Sequence, residues 1–194
     1  MSRLPGVSDR DAGLGAKFAF YFMKRHFNRL TGRQDDTMLG PVRLMAHIPT
    51  LLSGYGRLEQ AVAKVHRLDL RHRALAELKA ATVTRCEYCI DLGSRISHDW
   101  GLTDEELLAL PNYRSAACFS EVDKLVLAYA AAMSRTPVEV TDELFDKLRS
   151  QFSVPQLVEL TFIIALENLR GRFNLAMGIG AAGFSEGMVC ALPD

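Results

Sequence analysis

The chain has 194 residues, 48% of them hydrophobic, and its 23 basic and 23 acidic side chains cancel to a formal charge of zero. That balance supplies no field for nucleic acid, an anionic membrane or an acidic substrate. Four cysteines are too sparse for a small secreted disulfide framework and point to a reducing cytoplasm, while the apolar content is enough for one domain over 1–194.

The opening "MSRLPGVSDRDAGLG" mixes charges with glycines and lacks an apolar run ahead of a small-residue cleavage site, so it does not read as a secretory leader. "KFAFYFMKRHFNRL" predicts a first helix over 16–30. Its apolar run, Phe18 to Met23, is far shorter than the roughly 20 residues that span a bilayer. The aromatic stripe of Phe18, Tyr21, Phe22 and Phe27 is expected to pack on the core or on a second subunit rather than on a membrane. Helical spacing of Ala, Leu, Glu and Lys then predicts helices over 41–46, 50–66, 70–82, 85–99, 104–110, 121–134, 141–151 and 154–178. Strand-like alternation is scarce, so the expected class is all-α. Four helix starts carry a capping pair: Thr84 with Glu87, Thr103 with Glu106, Ser120 with Asp123, and Ser153 with Gln156. Pro155 suits a first turn. "GIGAAGFSEG", 178–187, is too rich in glycine for a regular helix.

The chemistry concentrates in "TRCEYCIDLG", Thr84 to Gly93. Cysteines three apart at a helix start suit thiol–disulfide exchange, because the sulfurs approach one another and the helix N-terminus favours thiolate. With Thr84 as the cap, Cys86 feels the dipole more than Cys89, and Arg85 can add a cationic field. Glu87, Asp91 and Arg95 form an i,i+4 ladder expected on a solvated or salt-bridged face. A zinc site needs two further ligands, whereas Cys118 and Cys190 are isolated and the five histidines lack ligand spacing, so no metal and no bound cofactor are expected. Glu77, in "LAELKAA", either faces a pocket or pairs with Arg73. The polar run Glu167, Asn168, Arg172 and Asn174 interrupts an apolar helix and is expected to build a structural network or subunit interface.

The segment "LDLRHRALAELKAATVTRCEYCIDLGSRISHDWGL", 68–102, resembles the core of the carboxymuconolactone decarboxylase and alkyl-hydroperoxidase D-like superfamily. "LVELTFIIALENLRGRFNLAMGI", within 154–179, is similar to the closing long helix of one branch, and "MAHIPTLLSGY" agrees with the family's N-terminal part. The resemblance implies an all-helical fold with the CxxC at a helix N-terminus, assembled as a homo-oligomer: a dimer, a trimer or multiples of trimers. It implies a small hydroperoxide as substrate and a dithiol protein, lipoyl- or thioredoxin-like, as reductant. By position, Cys89 would attack the peroxide and Cys86 would resolve. Two departures stand out: Gly93 occupies the place of the family's histidine one turn after the second cysteine, and Ala74 that of its upstream glutamate. Glu77, one turn after Ala74, is expected to supply the missing carboxylate, with Tyr88 and Asp91 as further candidate proton donors. The expected function is a thiol-dependent oxidoreductase. The alternatives are a decarboxylase or lactone-handling enzyme with bystander cysteines, and a noncatalytic scaffold.

Overall fold

The computed structural model describes residues 2–33 and 35–194, and among these it contains helices and no strands. The helices are α1 (Leu14–Thr31), α2 (Gly40–Met45), α3 (Pro49–Val62), α4 (Leu70–Thr84), α5 (Glu87–Asp99), α6 (Asp104–Ala109), α7 (Glu121–Ser134), α8 (Asp142–Gln151) and α9 (Val154–Met177). Each falls where helical spacing predicts one. The largest shift is at α3, which stops at Val62 rather than 66.

Helix α4 is the axis of the fold, packed by α5, α7 and α9. Every residue from Arg73 to Thr82 except Glu77 is buried, including Lys79. Four of those residues are alanines, whose small side chains let three helices approach one axis. A helix buried on all sides cannot leave its cations unpaired. Lys79 accordingly donates to the Leu110 carbonyl at 3.0 Å and to both Asp194 carboxylate oxygens at 2.8 and 2.7 Å.

The predicted capping pairs form at three of four sites. Glu106 accepts from the Thr103 N–H at 2.9 Å, Asp123 from the Ser120 N–H at 3.0 Å, and Gln156 from the Ser153 N–H at 2.9 Å. Arg71 then binds both Glu106 and Asp123, tying the starts of α6 and α7 to the first turn of α4. The glycine-rich segment after α9 is non-helical, as its composition predicts, and runs along α5. On α1, Phe20 and Phe27 are buried, whereas Phe18, Tyr21 and Phe22 remain between half and two-thirds exposed. No helix among the described residues is long and apolar enough to cross a membrane.

Candidate active site

The fourth capping pair does not form, and this moves Cys86 and Cys89 relative to the helix end. Thr84 is the last residue of α4, and its hydroxyl donates back to the Ala80 carbonyl at 2.9 Å. Arg85 turns left-handed at φ 58°, its N–H reaches the Thr82 carbonyl, and the Cys86 N–H reaches Ala81 at 3.2 Å. These bonds make a Schellman ending, which satisfies the last carbonyls of α4 and aims the chain into α5. The N-cap of α5 is therefore Cys86 itself, and its Sγ accepts the Cys89 N–H at 3.3 Å. Placing the sulfur at the cap strengthens the dipole argument, because the thiolate would receive a free helix N–H directly. Arg85 and Glu87 are both exposed and opposite in charge, so the favourable field comes from the backbone and not from Arg85.

Cys86 and Cys89 are joined as a disulfide with Cα atoms 5.2 Å apart. Cys86 is 1% exposed and Cys89 7%. Helix α9 covers the pair closely: a Cβ on Gly171 would lie 2.9 Å from Thr84 Oγ1 and 3.5 Å from Cys86 Cβ. One turn on, the buried Asn174 points Nδ2 at Cys89 Sγ, 3.5 Å away, and Cys86 Sγ, 3.7 Å away. The sequence marks Asn174 only as one polar group in an apolar helix. Its partners, 85 and 88 residues away, set it apart from the others in that run. Asn168 instead donates to Ser134, Arg172 to Thr136, and Glu167 accepts from Arg170, so the run divides among three surroundings rather than forming one network.

Two of the candidate proton donors are committed elsewhere. Asp91 is 5% exposed, not part of a solvated ladder. Its carboxylate accepts the N–H groups of Ala182, Gly183, Phe184 and Ser185 at 2.7–3.1 Å and the Ser185 hydroxyl at 2.6 Å. Burial pushes this carboxyl upward, but the hydrogen bonds led by Ser185 outweigh it and hold Asp91 below its ordinary value. It stays ionised and anchors the segment after α9. Tyr88 donates its hydroxyl to the Met38 carbonyl at 2.5 Å, and burial raises its pKa far out of reach of neutral-pH chemistry. At position 93, where the histidine is absent, a Cβ would meet Leu78 Cδ1 at 3.1 Å, so a side chain there requires Leu78 to give way by a few tenths of an ångström.

Glu77 lies about two helical turns before Thr84, on the α4 face toward α9. It belongs to an ion cluster in which carboxylates outnumber cations. Arg170 binds Glu59 at 2.6 Å and Glu167 at 2.9 Å and lies 3.8 Å from Glu77, while Arg73 lies 3.5 Å from Glu77 and 3.9 Å from Glu159. Of the two alternatives its sequence context allows, Glu77 takes the pairing with Arg73, inside an ion cluster. Its side chain keeps 18% exposure, yet Oε1 is buried without a hydrogen-bond partner. Burial pushes Glu77 up to about 7, with Arg170 and Arg73 pulling against it, and burial also raises Glu167. Among the described residues no hydrogen bond joins Glu77 to either sulfur. The remaining cysteines, Cys118 and Cys190, are free, and Cys190 Sγ lies 3.4 Å from the Ser94 hydroxyl.

The description of the carboxymuconolactone decarboxylase family matches residues 49–132, a span that includes α4 and the cysteine pair. An uncharacterized Escherichia coli (strain K12) protein, YnjA, is 37% identical over 167 residues, covering 84% of this chain and 87% of that one. YdfG of Bacillus subtilis, also uncharacterized, is 27% identical over 57% of this chain and 76% of its own length. Among solved structures, a cysteine-to-alanine form of the debrominase Bmp8 in complex with 2,3,4-tribromopyrrole superposes with a TM-score of 0.73 at 21% identity, covering 95% of each chain. An uncharacterized peroxidase-related protein from Silicibacter sp. TM1040 gives 0.71 at 15% identity, covering 96% of this chain and 97% of that one. At those identities the structural likeness establishes the fold.

Proposed function

The chain belongs to the carboxymuconolactone decarboxylase family, and from that premise we propose that it is a thiol-dependent oxidoreductase that reduces a small organic hydroperoxide through Cys86 and Cys89. The observation that carries this reading is the pair itself, closed across the cap of α5 with an N–H donor on Cys86 and the Asn174 amide reaching both sulfurs.

In the reduced protein the thiolate of Cys89, the less deeply buried residue of the pair, attacks the distal oxygen of the hydroperoxide. An S–O bond forms, the O–O bond breaks, and the alkoxide leaves with a proton. Cys86 then attacks the Cys89 sulfenic acid, forming the disulfide and expelling water. A dithiol partner, lipoyl- or thioredoxin-like, restores both thiols and leaves as its own disulfide. Glu77 is the acid for the alkoxide, acting through water or the substrate, because its value of about 7 keeps it half-protonated near neutrality. The same reading places further copies of the chain over exposed apolar surface, including Phe18 and Tyr21 on α1.

A second reading is favoured by the ion cluster. Glu59, Glu77 and Glu167 around Arg170 could perform acid–base work on a lactone or carboxylate, with the cysteines as bystanders. One assay separates the two. Dithiol-reduced protein is mixed with an alkyl hydroperoxide and peroxide consumption is followed beside Cys86→Ser and Cys89→Ser. Loss of turnover in both variants is expected, and full turnover in both would overturn the redox mechanism.

A further inference from the structure

We infer that Asn174 is a catalytic residue of the thiol–disulfide cycle, its side-chain amide hydrogen-bonding whichever sulfur carries negative charge: Cys89 as it attacks, Cys86 as it leaves. The inference rests on the redox reading of the pair and adds to it the group that holds the charge.

Three features support it. Asn174 is 2% exposed, and among the described residues its Nδ2 has no acceptor other than the two sulfurs, at 3.5 and 3.7 Å. A disulfide sulfur is a weak acceptor and a thiolate a strong one, so this buried donor is under-used in the oxidised state and gains when charge appears. That difference is what acceleration requires, since only an interaction stronger on the charged species lowers the barrier. The amide is also held in place. Asn174 lies in the last turn of α9, where its carbonyl accepts the Ile179 N–H at 2.9 Å in a second Schellman ending around left-handed Gly178. Gly171, lacking a side chain, lets the α9 backbone approach Cys86 closely enough for an amide one turn later to reach both sulfurs.

The two sulfurs differ in a way that orders the reductive half-cycle. Cys89 is the more accessible, and Cys86 has a second donor, the Cys89 N–H. A donor thiolate therefore attacks Cys89. A mixed disulfide forms, the Cys86–Cys89 bond breaks, and its electron pair leaves on Cys86, where both N–H donors receive it. The second thiolate of the dithiol then attacks the donor's own sulfur, closing the donor disulfide and releasing Cys89 as thiolate. The dithiol is oxidised and the pair reduced, and the dithiol's two protons pass to the protein thiols or to water.

The test needs no peroxide, so it fails or succeeds separately from the peroxidase assay. Wild type, Asn174→Leu (similar volume, no donor) and Asn174→Asp (similar shape, charge in place of donor) are opened with dithiothreitol at neutral pH. Thiolate absorbance of the reduced proteins is then titrated. Asn174→Leu should open about tenfold more slowly and raise the lower thiol pKa by about one unit, the scale of one hydrogen bond to a charged group. Asn174→Asp should shift both further. Unchanged rates and thiol pKa in folded variants overturn the inference, whereas a purely structural Asn174 would lower the melting temperature and leave the titration in place. Should neither variant fold, the side-chain amide resonance of Asn174 in reduced wild type decides. It must move with thiol ionisation, and a resonance indifferent to that titration refutes the assignment.

Discussion

Replacing Asp91 with alanine tests how the segment after α9 is held against the cysteine helix. The carboxylate accepts five hydrogen bonds, four from consecutive backbone N–H groups and one from Ser185. At about 1 kcal/mol net each, their summed loss is about 5 kcal/mol. The freed amides can turn to water as the segment lifts, which brings the expected destabilisation to about 3 kcal/mol. Against a typical total of about 5–15 kcal/mol this is a large fraction. Urea unfolding should show the loss, and hydrogen exchange should quicken first at residues 182–185 while α4 stays protected. The pH dependence has a definite sign. The folded-state pKa lies below the unfolded value, so the contribution is present above about pH 4 and is lost as pH falls through the depressed folded value. The variant should lack that acid-side loss. A destabilisation under about 1 kcal/mol with wild-type exchange at 182–185 would refute the claim that Asp91 is an anchor.

Gly93→His should not restore a relay. Its Cβ would press on Leu78 Cδ1, and overpacking of this kind costs about 1–3 kcal/mol, readable as a lowered melting temperature that Leu78→Ala in the same chain partly recovers. Glu77→Gln should lower peroxide turnover by at least about a hundredfold and remove a pH–rate limb near the value of about 7 assigned to this carboxyl. Because burial raises Glu77 above its unfolded value, its contribution to stability is full below about pH 4 and declines as pH rises through about 7. The Gln variant should show a flatter denaturation profile across that window. Asp194→Ala leaves the buried Lys79 ammonium with the Leu110 carbonyl as its remaining hydrogen-bond partner, and since Asp194 is one-third exposed the expected loss is about 2 kcal/mol. Burial already lowers Lys79 although Asp194 opposes it, so the variant should regain stability as pH rises from the lowered folded value and past the ordinary 10.5, above which the amine is neutral in both states.

What the sequence alone determined is the part governed by neighbours within a few residues. Helical spacing located the nine α-helices of the described residues, and the reciprocal pairs at Thr103, Ser120 and Ser153 stand where side chain and backbone are three residues apart. The cysteine spacing marked the pair that is joined as a disulfide, and "GIGAAGFSEG" announced a segment without helix. Thr84 misled because the α4 ending depends on a left-handed arginine, and only glycine commonly signals that turn in advance.

The tertiary structure decided everything whose partner is remote. Asp91 reads as one member of a surface ladder until a segment 91 residues later supplies its N–H groups. Tyr88 reads as a proton donor until the Met38 carbonyl, 50 residues earlier, accepts its hydroxyl. Asn174 is one polar group among four until packing of α9 at Gly171 brings it to the sulfurs, and Glu77 is pushed up to about 7 only once the packed helices bury most of its carboxyl. Hydrogen bonding within a turn is set by local geometry, whereas burial, charge and proton affinity are set by whichever distant chain displaces the solvent.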